Sequence, residues 1–174
     1  AENPVFQENK QVFSYRWPRS ERAGSSYDYF FNGYKQRNDA IAKKLNSPEQ
    51  IAVITDIQKF YPSVSAVKVL HALKNKLALS PDYIKSHIKL VINYYEQLLH
   101  DSNGGIPIGP AAGHILGNIA LEPIDAELGN LFGDNYFRYV DDIVVVCHAS
   151  QRRKKKKKIR DSLIRHNLSI NENK

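Results

Sequence analysis

Asp141 and Asp142 stand side by side between two runs of strand-forming residues, Tyr136-Phe137-Arg138-Tyr139-Val140 and Ile143-Val144-Val145-Val146. β-branched and aromatic residues favour strands, and two short runs with a tight polar break read as a β-hairpin. Both aspartates are then expected at the turn, with their carboxylates reaching out of the sheet. Adjacent carboxylates repel, so the pair is unfavourable unless cations bind it. Oxygen ligands of this kind suit hard divalent ions such as Mg²⁺. Taken alone, the pair is equally an Asp-rich turn. A third carboxylate shifts the balance. Asp56 ends the apolar run Ile51-Ala52-Val53-Ile54-Thr55. A βαββ-like order can lay that strand beside the hairpin in an antiparallel sheet. Three converging carboxylates can hold two Mg²⁺ ions about 3.5–4 Å apart, the arrangement used for in-line phosphoryl transfer.

The elements that must position these acids follow from the rest of the chain. Its 174 residues suffice for one domain with a core. Hydrophobic residues make up 42%, as in globular proteins, and no apolar run is long enough to span a bilayer. Ala1-Glu2-Asn3-Pro4 lacks the charged and then apolar pattern of a signal peptide. The single cysteine, Cys147, excludes an internal disulfide framework and a Cys-rich zinc site. It lies in the apolar run after the acidic pair and reads as a small core residue. A reducing cytoplasm suits this composition. The net charge of +7 calls for a polyanionic partner, nucleic acid first. An anionic membrane is a weaker fit, because no amphipathic anchor carries Trp or Phe on its apolar face. Methionine is absent, even at position 1, which reads as a piece of a longer product.

Residues 1–38 are basic and aromatic, with Arg16, Arg19, Arg22, Lys35 and Arg37 interleaved with aromatics such as Phe13, Tyr15, Trp17, Tyr27, Tyr29, Phe30, Phe31 and Tyr34. Such residues can neutralise phosphates and stack on bases, or form the solvated face of a peripheral subdomain. A short helix is expected over Asp39–Leu45, then a buried strand ending on Asp56. Ser63 or Ser65 can cap a helix running to about Leu77. Ser80-Pro81-Asp82 is a helix start, and the apolar spacing from Ile84 to Leu99 carries that helix to about His100. A long helix is expected from about Ala111 to Leu131. After the hairpin, residues 151–165 read as a basic helix containing Lys154–Lys158, and Leu168-Ser169-Ile170 as a last short strand. A charge run of this kind grips a nucleic-acid backbone or simply solvates a helix face. The six histidines show no metal-ligand spacing with the cysteine and read as structural.

Three motifs in this order resemble the reverse transcriptase family. They are Asp56-Ile57-Gln58-Lys59-Phe60-Tyr61-Pro62-Ser63-Val64; Gly105-Ile106-Pro107-Ile108-Gly109-Pro110 with Leu116, Asn118, Leu121 and Asp125; and Tyr139-Val140-Asp141-Asp142. Leu168-Ser169-Ile170-Asn171 with Lys174 is a fourth, weaker match. The resemblance covers about residues 50–174. It implies an α+β polymerase palm, a ferredoxin-like antiparallel sheet backed by helices, over residues 49–174. Residues 1–48 would be a partial fingers subdomain, with the thumb absent. It implies an RNA-directed DNA polymerase using two Mg²⁺ ions, with Mn²⁺ as a substitute, acting on dNTPs, an RNA template and a DNA product. A partner protein or non-coding RNA is a further implied possibility.

By the same resemblance, Asp56 and Asp141 are the principal metal ligands, Asp142 a supporting carboxylate and the Ile57 carbonyl a further ligand. Tyr61 is an aromatic steric gate beneath the incoming sugar. Phe60, Gly109 and Lys174 join it at the nucleotide, Lys174 beside the departing pyrophosphate. Arg19, Arg22, Lys154, Lys155 and Lys156 are the candidate nucleic-acid contacts. Two departures stand out. The family's usual Pro-Gln-Gly is Pro107-Ile108-Gly109 here, and a common Ser four residues after that glycine is Gly113. The Ile-Gly-Pro form is similar to bacterial abortive-infection and defence-associated reverse transcriptases, some of which prime unusually or dispense with a conventional template. A related palm that makes RNA and a decayed, non-enzymatic binding module are the competing readings. Tyr61 argues against the first, and the intact acids argue against the second, because buried acids without a metal are costly.

Overall fold

The structure is a computed structural model that describes residues 10–15, 29–79, 81–100, 104–108 and 111–172. The helices are α1 (Phe30–Lys44), α2 (Phe60–Ser63), α3 (Ala66–Ala78), α4 (Lys85–His100), α5 (Ala111–Phe132) and α6 (Arg152–Arg165). The strands are β1 (Gln50–Asp56), β2 (Tyr136–Tyr139) and β3 (Asp142–His148). Two compact units share these elements. Among the described residues, one holds Tyr61–Leu121 and the other holds residues 10–60 and 122–172.

The second unit carries the sheet, ordered β1-β3-β2 with both pairings antiparallel. The β-branched runs alternate in facing, as a pleated strand requires. Val144 and Val146 point to one side, where Phe13 and Phe137 complete a core and Ala40 and Ile41 of α1 pack against it. Ile143 and Val145 point to the other side and are fully buried. There α6 packs on β1 and β3, and its Ile159 and Leu163 are also fully buried. Cys147 is buried in β3, as its neighbours predict.

Short segments extend both edges of the sheet. Beside β2, the Phe13 N–H donates to the Arg138 carbonyl (2.9 Å) and the Arg138 N–H donates to the Gln11 carbonyl (2.8 Å). Beside β1, Ile57 bridges Ile170, with the Asn171 N–H donating to the Asp56 carbonyl at 2.8 Å. The expected last strand is therefore a single bridge at Ile170. The helix expected at Asp39–Leu45 is also longer, beginning at Phe30. Gly33 sits inside it because a Cβ there would overlap the Phe13 carbonyl oxygen.

The first unit is helical. Ser65 caps α3, its Oγ accepting from the Lys68 N–H. α3 packs on α4, burying Val69, Leu73, Tyr95 and Leu99, with Lys74 and Glu96 paired at 2.5 Å. The start anticipated at Pro81-Asp82 is a 3-10 turn over Asp82–Ile84 that leads into α4; Ser80 lies outside the described residues. The α+β class and the small antiparallel sheet match the reading of the sequence.

Candidate active site

The register decides where the acids go. Asp56 of β1 and Asp142 of β3 are cross-strand partners, and Tyr139 of β2 pairs with Asp142 from the other side. That pairing closes the hairpin with a two-residue loop, Val140-Asp141. Asp141 alone therefore occupies the turn, and Asp142 opens β3 instead of sharing the turn as expected. The Asp56 and Asp141 carboxyls lie close enough to each other to couple electrostatically. Asp56, 8% exposed, also accepts from Asn171 Nδ2 at 3.2 Å. The Ile57 N–H donates to the Asp141 carbonyl at 3.3 Å, tying the end of β1 to the turn.

Burial raises the Asp141 pKa to about 6, helped by the charge and hydrogen bond of Asp56 and the charge of Asp142. A carboxyl whose charge is disfavoured by burial and by a second carboxyl beside it is a donor set that a hard divalent cation stabilises. Among the described residues no three His, Cys, Asp or Glu side chains gather as a metal cluster. The contacting pair is Asp56 and Asp141, while Asp142 Oδ2 lies 3.8 Å from Arg37 Nη1. These residues fit divalent metal: two oxygen-donor acids in contact, with the Ile57 backbone at their side.

A pH dependence follows for the metal-free chain. Asp141 titrates near 6 when folded, against an ordinary value of 3.8. Its contribution to stability is complete below about 3.8 and is lost as pH rises through about 6. The metal-free protein is expected to melt higher at pH 5 than at pH 7.5, and Asp141→Asn should narrow that difference by stabilising the pH 7.5 state. Mn²⁺ binding followed by calorimetry should weaken below about pH 6. A melting difference that Asp141→Asn leaves unchanged would show that Asp141 does not titrate there.

Residues 4–174 match the family described as reverse transcriptase (RNA-dependent DNA polymerase). The chain belongs to the reverse transcriptase family. It is therefore an RNA-directed DNA polymerase, a nucleotidyltransferase whose substrates are nucleotides and a nucleic-acid template. Domains of this family use divalent metal ions. No curated protein matches the chain. Among the described residues, no helix is long and apolar enough to cross a membrane.

The other predicted site residues of this reverse transcriptase fall as follows. Phe60 is buried at the start of α2. Tyr61, in the helical unit, is partly buried, and its hydroxyl lies 2.9 Å from His114 Nδ1 with the rings edge-on. Burial lowers the His114 pKa, which favours the neutral imidazole in its hydrogen bond with the Tyr61 hydroxyl. Gly113 is explained by space. A Cβ there would overlap the Pro107 carbonyl oxygen, so the family's common serine does not fit this backbone. Lys154 is exposed, Lys155 lies 5.1 Å over the Phe132 ring and Lys156 lies 3.9 Å from Glu172. Gly109, Lys174, Arg19 and Arg22 lie outside the described residues.

Arg37 is the residue whose place the sequence did not reveal. It is 5% exposed and sits between the rings of Tyr34 and Tyr139, at 4.7 and 5.6 Å. Its Nε and Nη2 reach Asn38 Oδ1 at 3.3 Å, leaving Nη1 toward Asp142. A buried guanidinium needs an anion nearby, and Asp142 supplies it. The one sequence signal was Tyr34 three residues before Arg37, on one helix face.

Proposed function

We propose that this reverse transcriptase adds deoxynucleotides to a primer by the two-metal route, with Asp56 and Asp141 as principal ligands. The contact between these two carboxyls, inside a sheet edge that raises the Asp141 pKa, is the observation that supports this best. Asp142 supports from the head of β3, held by Arg37, and the Ile57 carbonyl is a further ligand. When bound, two Mg²⁺ ions supply the positive charge that acidifies the attacking hydroxyl and offsets charge on the leaving pyrophosphate; Mn²⁺ substitutes for them. Asp56 and Asp141 hold that charge in place. Tyr61, five residues after Asp56 in the same motif, excludes a 2′-hydroxyl. Residues 1–48 act as partial fingers and residues 49–174 as the palm.

The Pro107-Ile108-Gly109-Pro110 form supports a role in bacterial antiphage defence, in the cytoplasm, with priming or template use that departs from the ordinary. The test is incorporation of labelled dNTP by the full-length protein with Mg²⁺, alongside deep sequencing of the nucleic acid that copurifies. Metal-dependent incorporation that Asp141→Ala removes is the expected result. A chain that binds nucleic acid but never extends it would leave the decayed-module reading standing.

The basic end of α6 is proposed to contact the nucleic-acid backbone. Arg152, Arg153, Lys154 and Lys157 are exposed there. Replacing Lys154–Lys158 with Gln should weaken RNA binding and flatten its salt dependence by about one slope unit per lost phosphate contact. Lys155 and Lys156 already have partners in the fold, so the expected change is smaller than the run's five charges. An unchanged slope would return the run to a solvated face.

A further inference from the structure

The loop that presents Asp141 has a backbone its sequence does not favour. Val140 adopts φ 54°, a left-handed conformation that is an outlier for a β-branched residue. Two-residue hairpin loops that need positive φ at their first position strongly prefer Gly there. Val140 holds this conformation because both its backbone polar groups are fixed from outside the loop. Its N–H donates to Ser14 Oγ at 3.0 Å, and its carbonyl accepts from Arg138 Nη1 at 2.8 Å.

Each holder is itself rigid. Arg138 is 1% exposed and makes a fork with Asp125: Nε to Oδ1 at 2.7 Å and Nη2 to Oδ2 at 2.6 Å. The Tyr136 hydroxyl donates to the same Asp125 Oδ1 at 2.6 Å. Ser14 is also 1% exposed and lies on the segment that pairs along β2 through Phe13 and Arg138. Strained backbone persists only where its surroundings over-determine it, and such strain collects at functional sites.

We propose that Ser14 and Arg138 are positioning residues for polymerisation, clamping Val140 in a left-handed turn so that the Asp141 carboxylate meets Asp56. This rests on the reading of Asp141 as a metal-holding acid. Neither residue touches the reacting atoms. Ser14 holds the Tyr139–Val140 peptide and Arg138 the Val140–Asp141 peptide, while the Ile57 N–H holds the Asp141 carbonyl on its other side.

The test uses the full-length chain, with Mn²⁺ binding and dNTP incorporation as separate readouts. Removing a group that orients a metal ligand typically costs about 10–100-fold. Ser14→Ala should therefore weaken Mn²⁺ binding and lower kcat by at least about tenfold, with KM for dNTP little changed. Ser14→Thr, which keeps the hydroxyl, should retain most of both. Adding Val140→Gly to Ser14→Ala should restore both, because Gly takes positive φ without a clamp. Melting temperatures measured alongside separate this from a simple loss of stability: Ser14→Ala should lose Mn²⁺ binding and kcat at temperatures where it is still fully folded. Amide exchange in the wild-type chain needs no variant: the Val140 N–H should exchange far more slowly than a free turn amide. Wild-type behaviour of Ser14→Ala, failure of Val140→Gly to rescue it, or fast exchange at Val140 would overturn the clamp. Asp141→Asn in the same assays separates the two readings. If it binds Mn²⁺ and polymerises normally, the role of Asp141 itself falls. If it is inactive while Ser14→Ala is normal, only the clamp falls.

Discussion

Asp141→Ala and Asp56→Ala are each expected to abolish nucleotide incorporation in a protein that still folds. Changing a group that merely stands behind a metal ligand costs about 10–100-fold, so removing a ligand should cost more than about 100-fold. Folding should survive, because the two charged carboxyls repel in the metal-free chain and burial disfavours the charge on Asp141. Losing either one removes an unfavourable contact. Without metal, Asp141→Ala should melt no lower than wild type, whereas Asp56→Ala gives up the Asn171 hydrogen bond and should melt slightly lower; both should lose the stabilisation that Mn²⁺ gives wild type. Asp142→Asn should fall between, nearer tenfold, because Asp142 opens β3 beside Arg37 and the direct contact is between Asp56 and Asp141. Normal incorporation by well-folded Asp141→Ala would end the assignment.

Tyr61→Ala should admit ribonucleotides while deoxynucleotide use continues. An aromatic ring where a 2′-hydroxyl would lie forces overpacking, which typically costs about 1–3 kcal/mol. That is roughly tenfold to hundredfold in rate. Tyr61→Phe should keep the discrimination, because the ring does the excluding and the hydroxyl is occupied with His114. It should lose a little stability instead, since a hydrogen bond with a half-buried partner typically contributes about 1 kcal/mol. Competitive incorporation of a dNTP and its matching rNTP measures the ratio. A wild type that already prefers ribonucleotides, or a ratio unchanged in Tyr61→Ala, would move the RNA-making palm ahead.

What the sequence determined by itself was the sheet and the nature of its edge. Short β-branched and aromatic runs with a polar break specify strands and a hairpin locally. The acids Asp56, Asp141 and Asp142 were legible as strand-end candidates only in combination, since an acidic pair taken alone is equally an Asp-rich turn. Helix ends at Ser65 and near His100 were legible locally, as the strands were. The start of α1 was not, because aromatic residues Phe30 and Phe31 carry no cap and the helix is held by packing on β2 and the Phe13 segment. Which aspartate takes the turn was decided by register, since Tyr139 pairs with Asp142 and leaves Asp141 in the loop. Arg37 beside Asp142, and Ser14, Arg138 and Asp125 around Val140, are joined by contacts between residues far apart in the chain. No local pattern encodes such meetings, because each side chain's partner is chosen by how the segments stack and not by its neighbours in sequence.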